Sequence, residues 1–219
     1  MVTTRRIPAS STSSTTTKQR WTHTLQTPIL LWLCLSLPLV AWDTGYILFR
    51  PLSMPGGSLH FLWKPYALYG KIDHLYGIKA WEAHNGWTTT QGCFNACETG
   101  AYLWYLFLMY SYGRAGDGKC VDGKKERDGT ITVEGKVAAV AVLLGYSTSF
   151  MTFFKTVVYW GIEILSGFDN IGHNDFFRLV FLWIVPNGAW LVFPAYMMYT
   201  FGKEILQGLE AATKMDKYR

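Results

Sequence analysis

The sequence predicts an all-α membrane protein in which five transmembrane helices form a bundle around an intramembrane lipophilic pocket. Half of the 219 residues are hydrophobic and only 16% are charged, whereas a soluble domain usually has about 25% charged residues. The chain has ten Trp and thirteen Tyr, which are enriched at the two water interfaces of a membrane. Its net charge of +5 comes from basic residues between apolar runs, so membrane topology explains the charge better than nucleic-acid binding.

The first 25 residues are predicted to be a disordered tail. Residues 1–20 are rich in Ser and Thr, basic and free of acidic residues, and this composition cannot bury enough apolar area to fold alone. A transit peptide has a similar composition. The apolar residues that begin directly afterwards favour a tail ahead of the first helix.

Three predicted spans lie in the N-terminal half of the chain. The first, 28–49, is an apolar run long enough to cross a bilayer. The second, 64–82, is less apolar because it contains several charged residues, but Pro65 suits a first helical turn. The third, 91–112, follows the capping candidates at 88–90.

Two longer runs complete the predicted bundle. The polar loop 113–135 separates the third span from the fourth, 136–167, and the fifth covers 177–203. The five spans form a transmembrane domain over 28–205, and a polar C-terminal tail follows over 206–219.

The distribution of Lys and Arg predicts a cytosolic C-terminus. With five spans, most basic residues of the loops fall on the same side as the C-terminus, and the positive-inside rule assigns that side to the cytosol. The N-terminus is then lumenal. Four basic residues of the tail oppose this assignment: Arg5, Arg6, Lys18 and Arg20.

Polar side chains within the apolar runs are the candidate functional residues, because charged groups in hydrocarbon are costly and are usually functional. With a rise of about 1.5 Å per residue, several of them lie roughly 10–20 Å below the lumenal ends of their predicted helices. The residues of this layer are His74, Glu98, Lys155, Tyr159, Asn187 and Trp190. Their common depth predicts a pocket near the middle of the membrane.

Each of these residues also has a purely structural interpretation. A buried Glu98 carboxylate must be paired or protonated, and His74, Asn95 and Lys155 are its candidate partners. His74 taken alone is equally well explained as a packing residue. Lys155 is more readily explained by a structural pairing, for example with Glu163.

Asp43 lies near the end of the first span and is expected to be solvated at the cytosolic interface. The four cysteines lack the spacing of a zinc site, so small packed side chains are the favoured interpretation.

Three short motifs resemble the emopamil-binding protein family, a part of the EXPERA group of membrane proteins. They are His74 in the second span, CET at 97–99 opening the third, and NGAWLVFP at 187–194 in the fifth. The resemblance covers about 28–205 and implies a sterol isomerase fold in the endoplasmic reticulum membrane.

In isomerases of this family, one group protonates an alkene and a second removes a different proton, which shifts a sterol double bond. The resemblance implies that His74 and Glu98 are the catalytic acid/base pair. It implies that Asn187 and Trp190 orient the substrate and stabilise a carbocation, because an indole face attracts a cation by about 2 kcal/mol or more when desolvated. Tyr159 and Tyr102 are further candidates for contacts with the substrate. No metal ion or organic cofactor is expected.

One position departs from the family pattern. The isomerases have a Glu four residues after the His, and this chain has Ile78. The substrate is therefore a sterol- or terpenoid-like lipid that is isomerised or cyclised, or the chain is a non-catalytic sterol- or lipid-binding EXPERA protein. The expected partners are this substrate and the lipid bilayer, and no binding of nucleic acid is expected. A homodimer is a further possibility.

Overall fold

The computed structural model of the protein describes residues 21–115, 120–121, 124–125 and 130–216. The elements in chain order are β1 (Thr22–Leu25), α1 (Thr27–Leu48), α2 (Tyr66–Ile72), α3 (Ile78–Glu82), α4 (Trp87–Tyr112), β2 (Arg114–Ala115), β3 (Cys120–Val121), β4 (Lys124–Lys125), β5 (Ile131–Glu134), α5 (Gly135–Leu165), α6 (Phe176–Leu179) and α7 (Val185–Asp216). Single 3-10 turns cover His60–Trp63 and His74–Tyr76, and a π-helical turn, Val180–Ile184, joins α6 to α7. The described chain is therefore mostly helical.

In the described part of the chain, three helical stretches are long and apolar enough to cross a membrane: Thr27–Leu48, Gly135–Leu165 and Phe176–Thr213. They agree with the first and fourth predicted spans to within two residues and with the start of the fifth, whose helix continues ten residues beyond the predicted end, because long apolar runs are determined locally by the sequence. The chain is accordingly a multi-pass membrane protein.

Helix α4 takes the place of the third predicted span and runs antiparallel to α1. Gly92, near the start of α4, lies against Ile47, near the end of α1, and a Cβ atom at Gly92 would lie 2.7 Å from Ile47 Cγ2. Arg50 Nη2 donates a hydrogen bond to Thr89 Oγ1 at 3.1 Å, which links the same two ends. The helices approach closely here because Gly92 has no side chain.

The second predicted span, 64–82, is not one continuous helix. It is divided into α2, a 3-10 turn and α3, and the seven residues of α2 reach only about 10 Å, whereas a bilayer core is about 30 Å thick. The chain folds back on itself between Gly70 and Gly77, where a Cβ atom at Gly77 would lie 2.6 Å from the Gly70 carbonyl oxygen. The predicted five-helix bundle is therefore not confirmed.

Strand β1 and the C-terminal part of α7 are in contact at one end of the bundle, which we call the sheet end. β1 pairs antiparallel with β5, which leads directly into α5, and β2 after α4 pairs with the other edge of β5. His23 Nδ1 on β1 lies 2.6 Å from Glu204 Oε2 on α7. The start of α1 and the C-terminal part of α7 therefore lie on the same side.

Both predicted tails are shorter in the structure than the sequence indicates. Residues 22–25, assigned to the N-terminal tail, form β1, and α7 continues into the predicted C-terminal tail as far as Asp216. Residues 1–20 lie outside the described residues.

Candidate functional site

A cavity of about 430 Å³ lies between α1, α2, α4, α5 and the α6–α7 stretch, away from the sheet end. The residues that line it are Leu39, Val40, Trp42, Asp43, Pro65, Tyr66, Leu68, Tyr69, Ile72, Tyr76, Gln91, Asn95, Lys155, Thr156, Tyr159, Leu182, Pro186, Asn187 and Trp190. Most of this lining is apolar or aromatic, with a few polar groups, which is the usual character of a site for a small lipophilic molecule.

One wall of the cavity is a cluster of aromatic rings. Tyr66 stacks on Tyr46 with ring centroids 3.9 Å apart, and the Trp42 ring meets Tyr66 edge-on at 5.0 Å. Tyr69 contacts Tyr76 at 5.0 Å. The faces of such rings carry partial negative charge and stabilise a nearby cation.

Asp43 places a carboxyl group in this wall. Tyr66 OH donates a hydrogen bond to Asp43 Oδ1 at 2.5 Å, and Asn95 Nδ2 donates to Oδ2 at 3.0 Å. Asp43 is half-buried and forms no ion pair with another residue in the described part of the chain. The expectation that Asp43 is solvated at the interface is therefore corrected. The sequence signal for its role was an acidic residue inside an otherwise apolar run.

A chain of hydrogen bonds connects Asp43 to Glu98. Asn95 Oδ1 accepts a hydrogen bond from Lys155 Nζ, and Lys155 Nζ also donates to Glu98 Oε2 at 2.8 Å. The Glu98 side chain is almost fully buried. Glu98 itself does not line the cavity. It reaches the site only through Lys155 and Asn95.

Lys155 pairs with Glu98, one of the candidate partners given from sequence, and not with Glu163, which was the other suggested carboxylate. Glu163 lies further along α5, where its Oε1 accepts a hydrogen bond from Asn170 Nδ2 at 2.8 Å. The choice between the two carboxylates depended on how α4 and α5 pack together.

Asp73 lies behind the opposite part of the wall and is fully buried. Its Oδ2 accepts hydrogen bonds from Tyr159 OH and, at 3.0 Å, from Trp183 Nε1, and its Oδ1 accepts one from the Leu75 amide at 2.9 Å. Three donors therefore satisfy this carboxylate, and Tyr159 stands between it and the cavity.

Six residues were predicted to be catalytic or to contact the substrate. Three of them line the cavity, namely Tyr159, Asn187 and Trp190. Asn187 Nδ2 donates to the Trp183 carbonyl at 2.9 Å and contacts Tyr69 OH at 3.4 Å. Trp190 meets the ring of Trp32 edge-on at 5.1 Å. The amide and the indole are thus held on the α7 side of the cavity.

His74 lies in the 3-10 turn that follows α2 and is not part of the cavity lining. Its ring stacks on His173 with centroids 4.1 Å apart, and its Nδ1 atom has no hydrogen-bond partner. Burial lowers the pKa of His74, and the neighbouring His173 and Lys79 lower it further. Ile78 begins a different element, so His74 and Ile78 do not share a helix face.

The structure does not bring His74 and Glu98 together, because the former stacks on His173 and the latter pairs with Lys155. Tyr102 is buried on α4, one turn after Glu98 and outside the cavity. Within the described residues, no group of three or more His, Cys, Asp or Glu side chains is placed to hold a metal ion.

No family model, curated protein or solved structure matches this chain.

Proposed function

We propose that this chain is an integral membrane isomerase or cyclase of the emopamil-binding protein type, acting without a cofactor on a sterol- or terpenoid-like lipid. The proposal is supported above all by the cavity between the helices, in which one carboxyl group, that of Asp43, lies among aromatic rings. An acid beside cation-stabilising rings is the arrangement that a reaction through a carbocation needs.

Asp43 is the proposed acid because its carboxyl group belongs to the cavity wall, whereas His74 and Glu98 lie outside it. An acid that protonates an alkene must itself be neutral, and the neutral carboxyl group is also the less costly form in an apolar cavity. Tyr66 OH and Asn95 Nδ2 hold the group in one orientation. Such positioning of a proton donor contributes about 10²–10⁴-fold to a rate.

The proposed reaction balances within the substrate and two groups of the protein. The alkene takes the proton from Asp43 with its π electron pair, which leaves a carbocation on the neighbouring carbon and a carboxylate on Asp43. The faces of Tyr66 and Trp190 stabilise the cation. The carbon next to the cation then loses a proton to the oxygen of Tyr159 OH, and at the same time the Tyr159 hydroxyl passes its own proton to Asp73. The electron pair of the broken C–H bond forms the new double bond. After the product has left, Asp73 returns its proton to Tyr159, and Tyr159 OH passes a proton to Asp43 through water in the emptied cavity, which both side chains line.

Cyclisation uses the same groups. If a second double bond of the substrate attacks the carbocation, a ring forms before the final proton is lost. The two outcomes differ in the substrate and in how the cavity folds it, not in the residues that move protons.

The second candidate function is non-catalytic binding of a sterol or another lipid. It is favoured by one observation, that the predicted acid/base residues His74 and Glu98 do not meet. The same cavity serves either function, so the decisive property is chemical turnover.

Mass-spectrometric analysis of lipids from cells with and without the chain tests the proposal. We expect at least one polycyclic or terpenoid lipid to decrease and an isomer of identical mass to increase when the chain is expressed. Unchanged lipid composition, together with saturable lipid binding by the purified chain, would establish the binding function instead.

The proposed location is the endoplasmic reticulum membrane, with both termini in the cytosol. Four helices, α1, α4, α5 and α7, alternate in direction. The segment between α1 and α4 begins and ends at the same end of the bundle, opposite the sheet end, so it does not add a span. In sequence, fourteen of the 20 Lys and Arg residues belong to segments next to the sheet end and five to segments next to the opposite end. The positive-inside rule therefore favours a cytosolic sheet end. The basic N-terminal tail, which opposed the five-span topology, agrees with this one.

Epitope tags at the two termini test this topology. After digitonin treatment that opens only the plasma membrane, we expect antibodies to reach both tags. A tag inserted after Gly56, between α1 and α4, serves as the lumenal control and should stay protected. A protected N-terminal tag with an accessible C-terminal tag would restore an odd number of spans.

A further inference from the structure

Among the described residues that line the cavity, those exposed at the surface of the bundle have apolar or aromatic side chains. Among the lining residues, those that are exposed are Leu39, Trp42, Pro65, Leu68 and Pro186. They come from α1, from α2 with its preceding residue, and from the first turn of α7. Together these five residues form a rim, which we call the portal.

The polar groups of the cavity are less exposed than this rim. Gln91, Asn95 and Thr156 are buried, Asp43 and Asn187 are half-buried, and the Lys155 side chain is 12% exposed. An entrance from water would require polar or charged side chains at the opening, since an apolar rim is poorly hydrated. None of the exposed residues in the described cavity lining is charged, and none has a polar side chain other than the Trp42 indole.

Part of the portal belongs to the exposed apolar face of a membrane-spanning helix. Leu39 belongs to α1, a membrane-spanning helix, and it is 44% exposed, while Leu68 on α2 is 53% exposed. In the same helix the neighbouring Leu35 is 59% exposed but does not line the cavity. The exposed face of α1 therefore continues from lipid-facing surface into the cavity.

We infer that the cavity opens sideways into the bilayer through the portal, and that its ligand is an uncharged lipid that enters from the hydrocarbon core rather than from water. This inference rests on the proposed function, whose site it supplies. A charged group on the ligand would have to cross the apolar rim, which is costly, so the substrate carries its polar groups as hydroxyls or not at all.

The parts of the portal differ in how firmly they are held. Trp42 Nε1 donates to the Leu62 carbonyl at 3.1 Å, and the Trp42 carbonyl accepts a hydrogen bond from Trp63 Nε1 at 2.8 Å. Trp42 is therefore a fixed edge. Leu39 and Leu68 have no polar anchor, so they are the positions at which a larger side chain narrows the entrance without breaking a hydrogen bond.

The test uses Leu39→Trp as the portal variant and Leu35→Trp as its matched control, one turn away on the same helix. Each purified chain in lipid nanodiscs is mixed with the fluorescent sterol dehydroergosterol, and its association and dissociation rate constants are measured by stopped flow. A narrowed entrance slows both directions equally. We expect both constants to fall by about tenfold in Leu39→Trp, so that their ratio, Kd, changes much less than either constant, and to stay at wild-type values in Leu35→Trp. Leu68→Trp should reproduce the effect from the other side of the portal.

Wild-type rate constants in both Leu39→Trp and Leu68→Trp would overturn the portal while leaving the proposed function intact. A change of Kd without slower association would also overturn it, because that result indicates a distorted site. Lack of saturable dehydroergosterol binding by the wild-type chain would instead contradict the proposed function, and the portal with it.

Discussion

Replacing Asp43 with Asn is expected to lower turnover by about 10²–10⁴-fold while the chain still folds and binds its ligand. The side chain keeps its shape but loses the proton that the reaction requires. The new amide can accept from Asn95 Nδ2 through its oxygen and donate to Tyr66 OH through its nitrogen, since a hydroxyl serves either as donor or as acceptor. The wall of the cavity should therefore stay intact.

The measurement is the rate at which membranes containing each variant convert the lipid whose amount depends on the wild-type chain. Asp175→Asn is the matched control, because Asp175 caps α6 away from the cavity and Asn caps a helix equally well. Asp43→Glu retains an acid and should keep part of the activity. Conversion at the wild-type rate by Asp43→Asn would remove Asp43 from the mechanism.

Replacing Glu98 with Gln is expected to destabilise the fold by about 3–5 kcal/mol, because it leaves the Lys155 ammonium buried without its counter-charge. The Lys155 side chain is 12% exposed and lies 2.8 Å from Glu98 Oε2. The loss should appear in the free energy of unfolding measured by titration with sodium dodecyl sulfate in mixed micelles. Activity should fall as well, since Lys155 also holds Asn95 against Asp43.

Two further variants separate the structural role of Glu98 from a catalytic one. Glu210→Gln makes the same change at an exposed position of α7 and should leave the free energy of unfolding unchanged. Glu98→Gln combined with Lys155→Met removes both charges and should recover most of the lost stability. If Glu98 is the acid or base that its motif predicts, Glu98→Gln instead keeps the stability of the wild type and loses turnover.

The sequence by itself determined the membrane-spanning helices. The apolar runs at 28–49, 136–167 and 177–203 correspond to α1, α5 and the α6–α7 stretch, because the cost of exposing hydrocarbon to water depends on the length of a run and hardly on its neighbours. It also singled out Tyr159, Asn187 and Trp190, all of which line the cavity. The signal was a common depth of polar or aromatic residues in the predicted spans, but the same signal also selected His74 and Glu98, which lie outside the cavity.

The tertiary structure decided which charges meet and which segment crosses. Segment 64–82 was predicted as a span in spite of its charged residues. The chain turns back where Gly70 and Gly77 are in close contact, and this contact joins two residues of what was predicted as one helix. The pairing of Lys155 with Glu98 and the place of Asp43 in the cavity wall depend on the packing of α4 against α1 and α5. A charge inside hydrocarbon needs a partner, but only the positions of the neighbouring helices decide which partner it finds.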